Sequence, residues 1–190
     1  MNKNIIYFNK SRLNAFVIAT LTVLFTGCSG GNIEELNRLN ELETKLVENQ
    51  ENLNIDIEPF KLRLKEMEKD LSYYKTEAGD TISLEFSQQL SKFDVIRKIY
   101  TKNITSFTHS TKEQNELEEQ IKNLRLDLEE GNISKEEFKE YFKKEEMDIE
   151  ALLLESKEIK KALYQVEPDY RRIAKIIEKR MEIVDPTLRP

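Results

Sequence analysis

Between Leu36 and Tyr74, apolar side chains return at alternating steps of three and four residues: Leu36, Leu39, Leu46, Leu53, Ile57, Phe60, Leu64, Met67, Leu71 and Tyr74. Glu43 and Gln50 take the two remaining places of the stripe. A helix returns side chains to one face at that interval, and a stripe sustained over about five heptads is the pattern of a coiled-coil seam. Pro59 lies inside it. Proline removes a backbone donor and clashes with the preceding turn, so a kink or break is predicted near Asn54 to Pro59. Glu43 and Gln50 weaken the N-terminal part of the seam, which leaves two readings of 33–58, a packed helix or a solvated stalk with tight packing starting only after Phe60.

Helical spacing continues to the end of the chain. Ala78-Gly79 should close the first arm, and Asp80 or Thr81 should open the next by accepting from freed amides. A second helix presents Ile82, Phe86, Leu90, Phe93, Ile96 or Arg97, Tyr100, Ile104 and Phe107, and is expected to end among Thr105 to Ser110. Ser110 to Glu113 and Ser134 to Glu137 both have capping-box spacing and predict helix starts. Leu117, Ile121, Leu124 and Leu128 then line a third helix, and Phe138, Phe142, Ile149, Leu152, Ile159 and Leu163 a fourth running to about Gln165. Pro168 suits the first residue of a last helix bearing Ile173, Ile176, Ile177, Met181 and Val184, which Asp185-Pro186 stops. No alternating, strand-like segment competes. The predicted fold is all-α, an elongated antiparallel helical bundle or hairpin assembly with coiled-coil-like segments, in a single domain over 33–190.

Composition agrees: 35 % of residues are charged and 38 % hydrophobic, with five Gly and four Pro. One His, one Cys and no Trp leave little for hydrolytic, redox or transition-metal chemistry. A net charge of −6 disfavours nucleic acid as a partner. The expectation is a protein that is not an enzyme and holds no cofactor.

The first 28 residues have a different character. Lys3, Lys10 and Arg12 form a positive start without acids, and Ala15 to Phe25 are uncharged and mostly apolar. A membrane-crossing helix needs about 20 apolar residues, so this run suits a cleavable signal. It ends in Leu24-Phe25-Thr26-Gly27-Cys28, with small residues before the chain's single cysteine. At these residues the chain resembles the signal peptide of bacterial lipoproteins, although Phe25 stands where that family's lipobox more often has an aliphatic residue. The resemblance implies a signal over 1–27, removal of that segment, and lipidation of Cys28, with residues 28–32 as a flexible tether. Several acyl chains anchor a protein stably where one does not. Ser29 after the cysteine points to outer-membrane delivery in preference to the inner membrane.

Gly131, Ile133 and Glu137 imitate the exit of a calcium-binding EF-hand loop. With Gly131 at position six, however, Leu126 and Leu128 occupy positions one and three, which should supply oxygen. Glu130, Ser134 and Glu137 alone would leave the ion under-coordinated, so the stretch is read as a helix–helix bend and no metal ligand is assigned. Residues 117–142 are also similar to short helical hairpins of the SHOCT type, a likeness that implies no activity.

Other candidates are read as structural. His109 is expected near a helix end as a surface or capping residue. Glu145, Glu146, Asp148 and Glu150 read as a solvated acidic face beside Lys143-Lys144. Tyr164, Tyr170, Arg171 and Arg172 could meet lipid headgroups or a glycan, or pack a helix corner. Tyr73, Tyr74 and Tyr100 are expected to close the bundle with hydroxyls at its rim.

The functional expectation is a lipid-anchored protein of the bacterial cell envelope, a non-catalytic binding or scaffold module. It would present an acidic helical surface to another envelope protein or to a second copy, which would complete the weak N-terminal seam. The alternative is a periplasmic chaperone or inhibitor holding a client between helical arms. An enzyme using carboxylates alone is a third class, for which no pair of positions stands out.

Overall fold

The computed structural model describes residues 32–76 and 82–184. Five helices run through them: α1 (Ile33–Leu53), α2 (Glu58–Thr76), α3 (Leu84–Glu130), α4 (Lys135–Gln165) and α5 (Glu167–Val184). No strand occurs among the described residues. The fold is an all-α bundle in three columns. α1 and α2 run end to end in one column, α3 returns alone, and α4 and α5 form the third. At 1.5 Å per residue, the 47-residue α3 extends about 70 Å, so it sets the length of the rod.

The first column breaks where Pro59 predicts it. Asn54 has φ −74° and ψ 71°, and the Ile55 amide donates to the Leu53 carbonyl at 2.8 Å, an inverse γ-turn that ends α1. Pro59 is the second residue of α2, where an amide would have no intrahelical partner in any case. Pro168 is likewise second, after Glu167, in α5.

The predicted break between Thr105 and Ser110 does not occur, and Ser110 caps nothing. It is fully buried in the middle of α3, and His109 is mid-helix too. No Gly or Pro interrupts 84–130. The hydroxyls of Thr101, Thr105, Thr108 and Thr111 each donate to the carbonyl four residues back, so they are satisfied inside the helix and do not compete with it. The N-cap of α3 is Ser83, whose Oγ accepts from the Phe86 amide. Ala78 to Thr81, proposed to close one arm and open the next, lie outside the described residues.

The bend at Gly131 is as read. Gly131 has φ 72°, its amide donates to Leu128, and the Asn132 amide donates to Asp127, which is a Schellman ending. Ser134 and Glu137 form a reciprocal capping box at the start of α4.

Two apolar cores lie end to end along the rod. The first joins α1, the C-terminal half of α3 and the start of α4 through Leu39, Leu42, Leu46, Leu117, Ile121, Leu124, Leu128, Phe138, Phe142, Ile149 and Leu152. The second joins α2, the N-terminal half of α3, the end of α4 and α5 around Phe60, Met67, Tyr74, Phe93, Tyr100, Leu163 and Ile177. Of the two readings of α1, a packed helix or a solvated stalk, the structure shows the packed helix. Its inward stripe is Leu39, Leu42, Leu46 and Asn49, one position before Glu43 and Gln50, and it packs between α3 and α4. Both stripes keep a seven-residue period on either side of Leu39 and Leu46, and the face that meets α3 and α4 is the one that carries Leu42 in place of Glu43.

Candidate functional site at the polar waist

Between the two cores the interior turns polar. On α3 the buried residues separating Tyr100 from Leu117 are Asn103, Ser110 and Gln114; on α4 Ser156 separates Leu152 from Ile159; on α1 Asn49 follows Leu46. Asn49 Nδ2 donates to Gln114 Oε1 at 3.0 Å and lies 3.1 Å from Ser156 Oγ, joining all three columns. Gln114 Nε2 donates to the Leu46 carbonyl at 2.9 Å and to Glu118 Oε1 at 2.6 Å. Asn52 donates to Asn49 Oδ1. Paired amides of this kind hold register, because a shifted neighbour would leave them unsatisfied. Ser110 Oγ, by contrast, is buried without a hydrogen-bond partner.

At the rim of this layer His109 and Glu113 stand one turn apart on α3, and Glu155 of α4 faces them. His109 Nδ1 is 3.4 Å from Glu113 Oε2, and one ligand atom from each of the three residues lies within 4.8 Å of the others. The four-residue spacing of His109 and Glu113 stands in the sequence, but the capping-box reading gives Glu113 to Ser110 and misses the pair; the approach of Glu155, from a helix beyond the Gly131 bend, has no local signal at all.

A second polar knot ties the other core. Glu167 Oε2 is 2.7 Å from Arg63 Nη1 and accepts from the Tyr100 hydroxyl at 3.0 Å, while Oε1 accepts from Arg171 Nε at 2.8 Å. Burial, then the charge of Glu167, pushes the Tyr100 phenol up. Arg63 also lies over the rings of Phe60 and Tyr170. The aromatic-basic group of the sequence is thus a packed helix corner: Tyr164 meets Phe60 edge-on, Tyr170 stacks on Phe93, and Arg172 pairs with Asp169. Tyr74 and Tyr100 are buried in the core, not at its rim; the Tyr74 hydroxyl donates to the Ile177 carbonyl at 3.4 Å.

The remaining candidates are accounted for locally. Glu137 serves as the cap of α4, and hydrogen bonds from Ser134 hold its carboxyl below the usual range. Glu130 accepts from Asn132. Within the acidic run, Glu145 is only 8 % exposed, so that run is not a wholly solvated face. Its Oε1 pairs with Lys144, which also reaches Asp148, while Oε2 has no partner. Glu150 pairs with Lys45 of α1. Cys28 lies outside the described residues.

No helix among the described residues is long and apolar enough to cross a membrane. Comparison with protein-family models, with curated proteins and with solved structures gives no match for this chain.

Proposed function

We propose that the chain is a lipid-anchored protein of the bacterial cell envelope that works as a non-catalytic scaffold, holding its second helical bundle away from the membrane for another envelope protein. The observation that carries this reading is Cys28, at the end of a lipoprotein-like signal and five residues ahead of the first helix. Asn32 Nδ2 donates to the Leu128 carbonyl at 3.1 Å, so the chain enters the rod beside the Gly131 bend. With Cys28 acylated, that end becomes proximal to the lipid, and the far end of α3 can stand about 70 Å away.

Charge supports the same orientation. Residues 32–49 and 114–152, which make up the proximal bundle, carry 18 acidic and 8 basic side chains, a net of −10. The other described residues carry 15 acidic and 18 basic, a net of +3. An acidic base is repelled by anionic headgroups and favours an upright rod. It also moves the expected contact surface. α1 already finds its neighbours within the chain, so a weak seam no longer calls for a partner, and the surface on offer is the distal, mildly basic one. Leu84, Ile176 and Ile183 are exposed there beside Lys179 and Arg180.

The test has two arms. Cys28→Ser should abolish acyl labelling and release the protein from the membrane fraction; unchanged processing and fractionation would overturn the anchor. A photo-crosslinker at Ile183 should capture an envelope protein in intact cells while one at Val47 does not, and equal or absent capture at both would overturn the distal scaffold.

A further inference from the structure

The chain contains one histidine, and it stands beside two carboxylates where the apolar interior is interrupted. We propose that His109, Glu113 and Glu155 bind a divalent first-row transition ion of the zinc class, which pins α3 to α4 at the waist.

The geometry suits such an ion. Residues four apart on a helix leave the same face, so His109 and Glu113 converge without strain. Glu155 supplies the third ligand from the neighbouring column, which makes the site a crosslink and not a local chelate. One imidazole nitrogen and two carboxylate oxygens match zinc, whereas calcium and magnesium favour oxygen-only shells of six or more. Two carboxylates and a neutral imidazole balance the charge of a divalent ion, and the nearby Lys112 is drawn to Glu116 at 3.0 Å. Around a tetrahedral zinc, ligand atoms stand about 3.4 Å apart, so the present spread must contract. His109, with its side chain 72 % exposed, has the freedom to close it by rotation. Three protein ligands leave one position for water.

The surroundings give the ion a structural purpose. Neither apolar core crosses the waist, and the buried Ser110 Oγ there has no partner, so the columns are joined at this level by polar contacts such as those of Asn49 and not by an apolar core. An ion bound only in the folded arrangement adds stability that grows with the logarithm of its free concentration above the dissociation constant. This inference does not depend on the membrane anchor.

The single histidine makes the test direct. Full-length protein in detergent, isotope-labelled at histidine, is titrated with zinc chloride while the imidazole NMR signals are followed. One set of imidazole resonances should shift and saturate at one ion per chain, with a rise in Tm. Glu155→Gln should weaken binding by at least the roughly tenfold that even loss of a supporting contact costs a metal site. Glu140→Gln, an exposed change elsewhere on α4, should bind as the parent does. Zinc captured by Cys28 alone would leave the imidazole unmoved and would overturn the site. So would unchanged affinity in Glu155→Gln, or calcium shifting the imidazole as strongly as zinc.

Discussion

Arg63 and Glu167, 104 residues apart in the chain, meet at 2.7 Å where the α4–α5 corner packs against α2. Both side chains are largely removed from water, and Glu167 also serves the Tyr100 hydroxyl, so one carboxylate holds a cation and a buried donor together. Taking away the acid strands both. Glu167→Ala should therefore destabilise the fold by about 3 kcal/mol, within the range for breaking a buried pair. Urea unfolding should show a lower midpoint, and Tyr100→Phe combined with Glu167→Ala should cost less than the two single losses added, because the stranded phenol is gone. A purely additive result would mean that the two groups do not share the carboxylate.

Alkaline pH should unfold the distal bundle first. Burial raises the phenols of Tyr74 and Tyr170 from an ordinary 10.0 to about 12, and that of Tyr100 further. A group whose pKa is higher in the folded state lends stability that is complete below its unfolded pKa. That stability is lost as pH rises from there through the folded pKa. The loss should begin near pH 10 and deepen towards 12. Tyrosinate absorbance and helical circular dichroism recorded together should change in step; if the buried phenols titrate at pH 10 with the helices intact, burial is not what holds them neutral.

The waist should respond differently to single and double changes. Asn49→Ala removes one partner from Gln114 and Ser156 and leaves buried polar atoms unsatisfied, at a cost of about 1–3 kcal/mol. Asn49→Leu with Gln114→Leu removes the bonded amides together and leaves, of the buried side chains, only the Ser156 hydroxyl without its partner, so it should cost less than Asn49→Ala. The double variant should also lose some of its fixed register, visible as broadened NMR signals from α1. Equal destabilisation by both variants would argue against register as the role of this layer.

Leu46→Ala separates a packed α1 from a solvated stalk. Leu46 is 2 % exposed within the proximal core, so truncation should cost about 2–5 kcal/mol. Hydrogen exchange should show the amides of residues 39–49 protected to the same degree as those of 117–128. A stalk would exchange freely and would tolerate the change.

Helical spacing, the Pro59 break, the Gly131 ending and the Ser134 box were all legible in the sequence, because each depends on neighbours within a turn or two. The inward stripes of α3 beyond Leu117 and of α4 were legible for the same reason: every residue assigned to them is buried. Ser110 was misread because serine followed by glutamate three places on is also compatible with a helix interior, and only burial between other columns tells the two apart. The inward face of α1 was misread by one residue, since choosing Leu42 and Asn49 over Glu43 and Gln50 depends on where α3 and α4 stand. The meetings of Arg63 with Glu167, of Asn49 with Gln114, and of His109 and Glu113 with Glu155 join positions that no local period connects. Sequence determines which stretches are helical, because hydrogen bonding and capping act within a few residues. Only the packing of three columns decides which polar side chains share the interior, because those encounters depend on the bend angles and registers of whole helices.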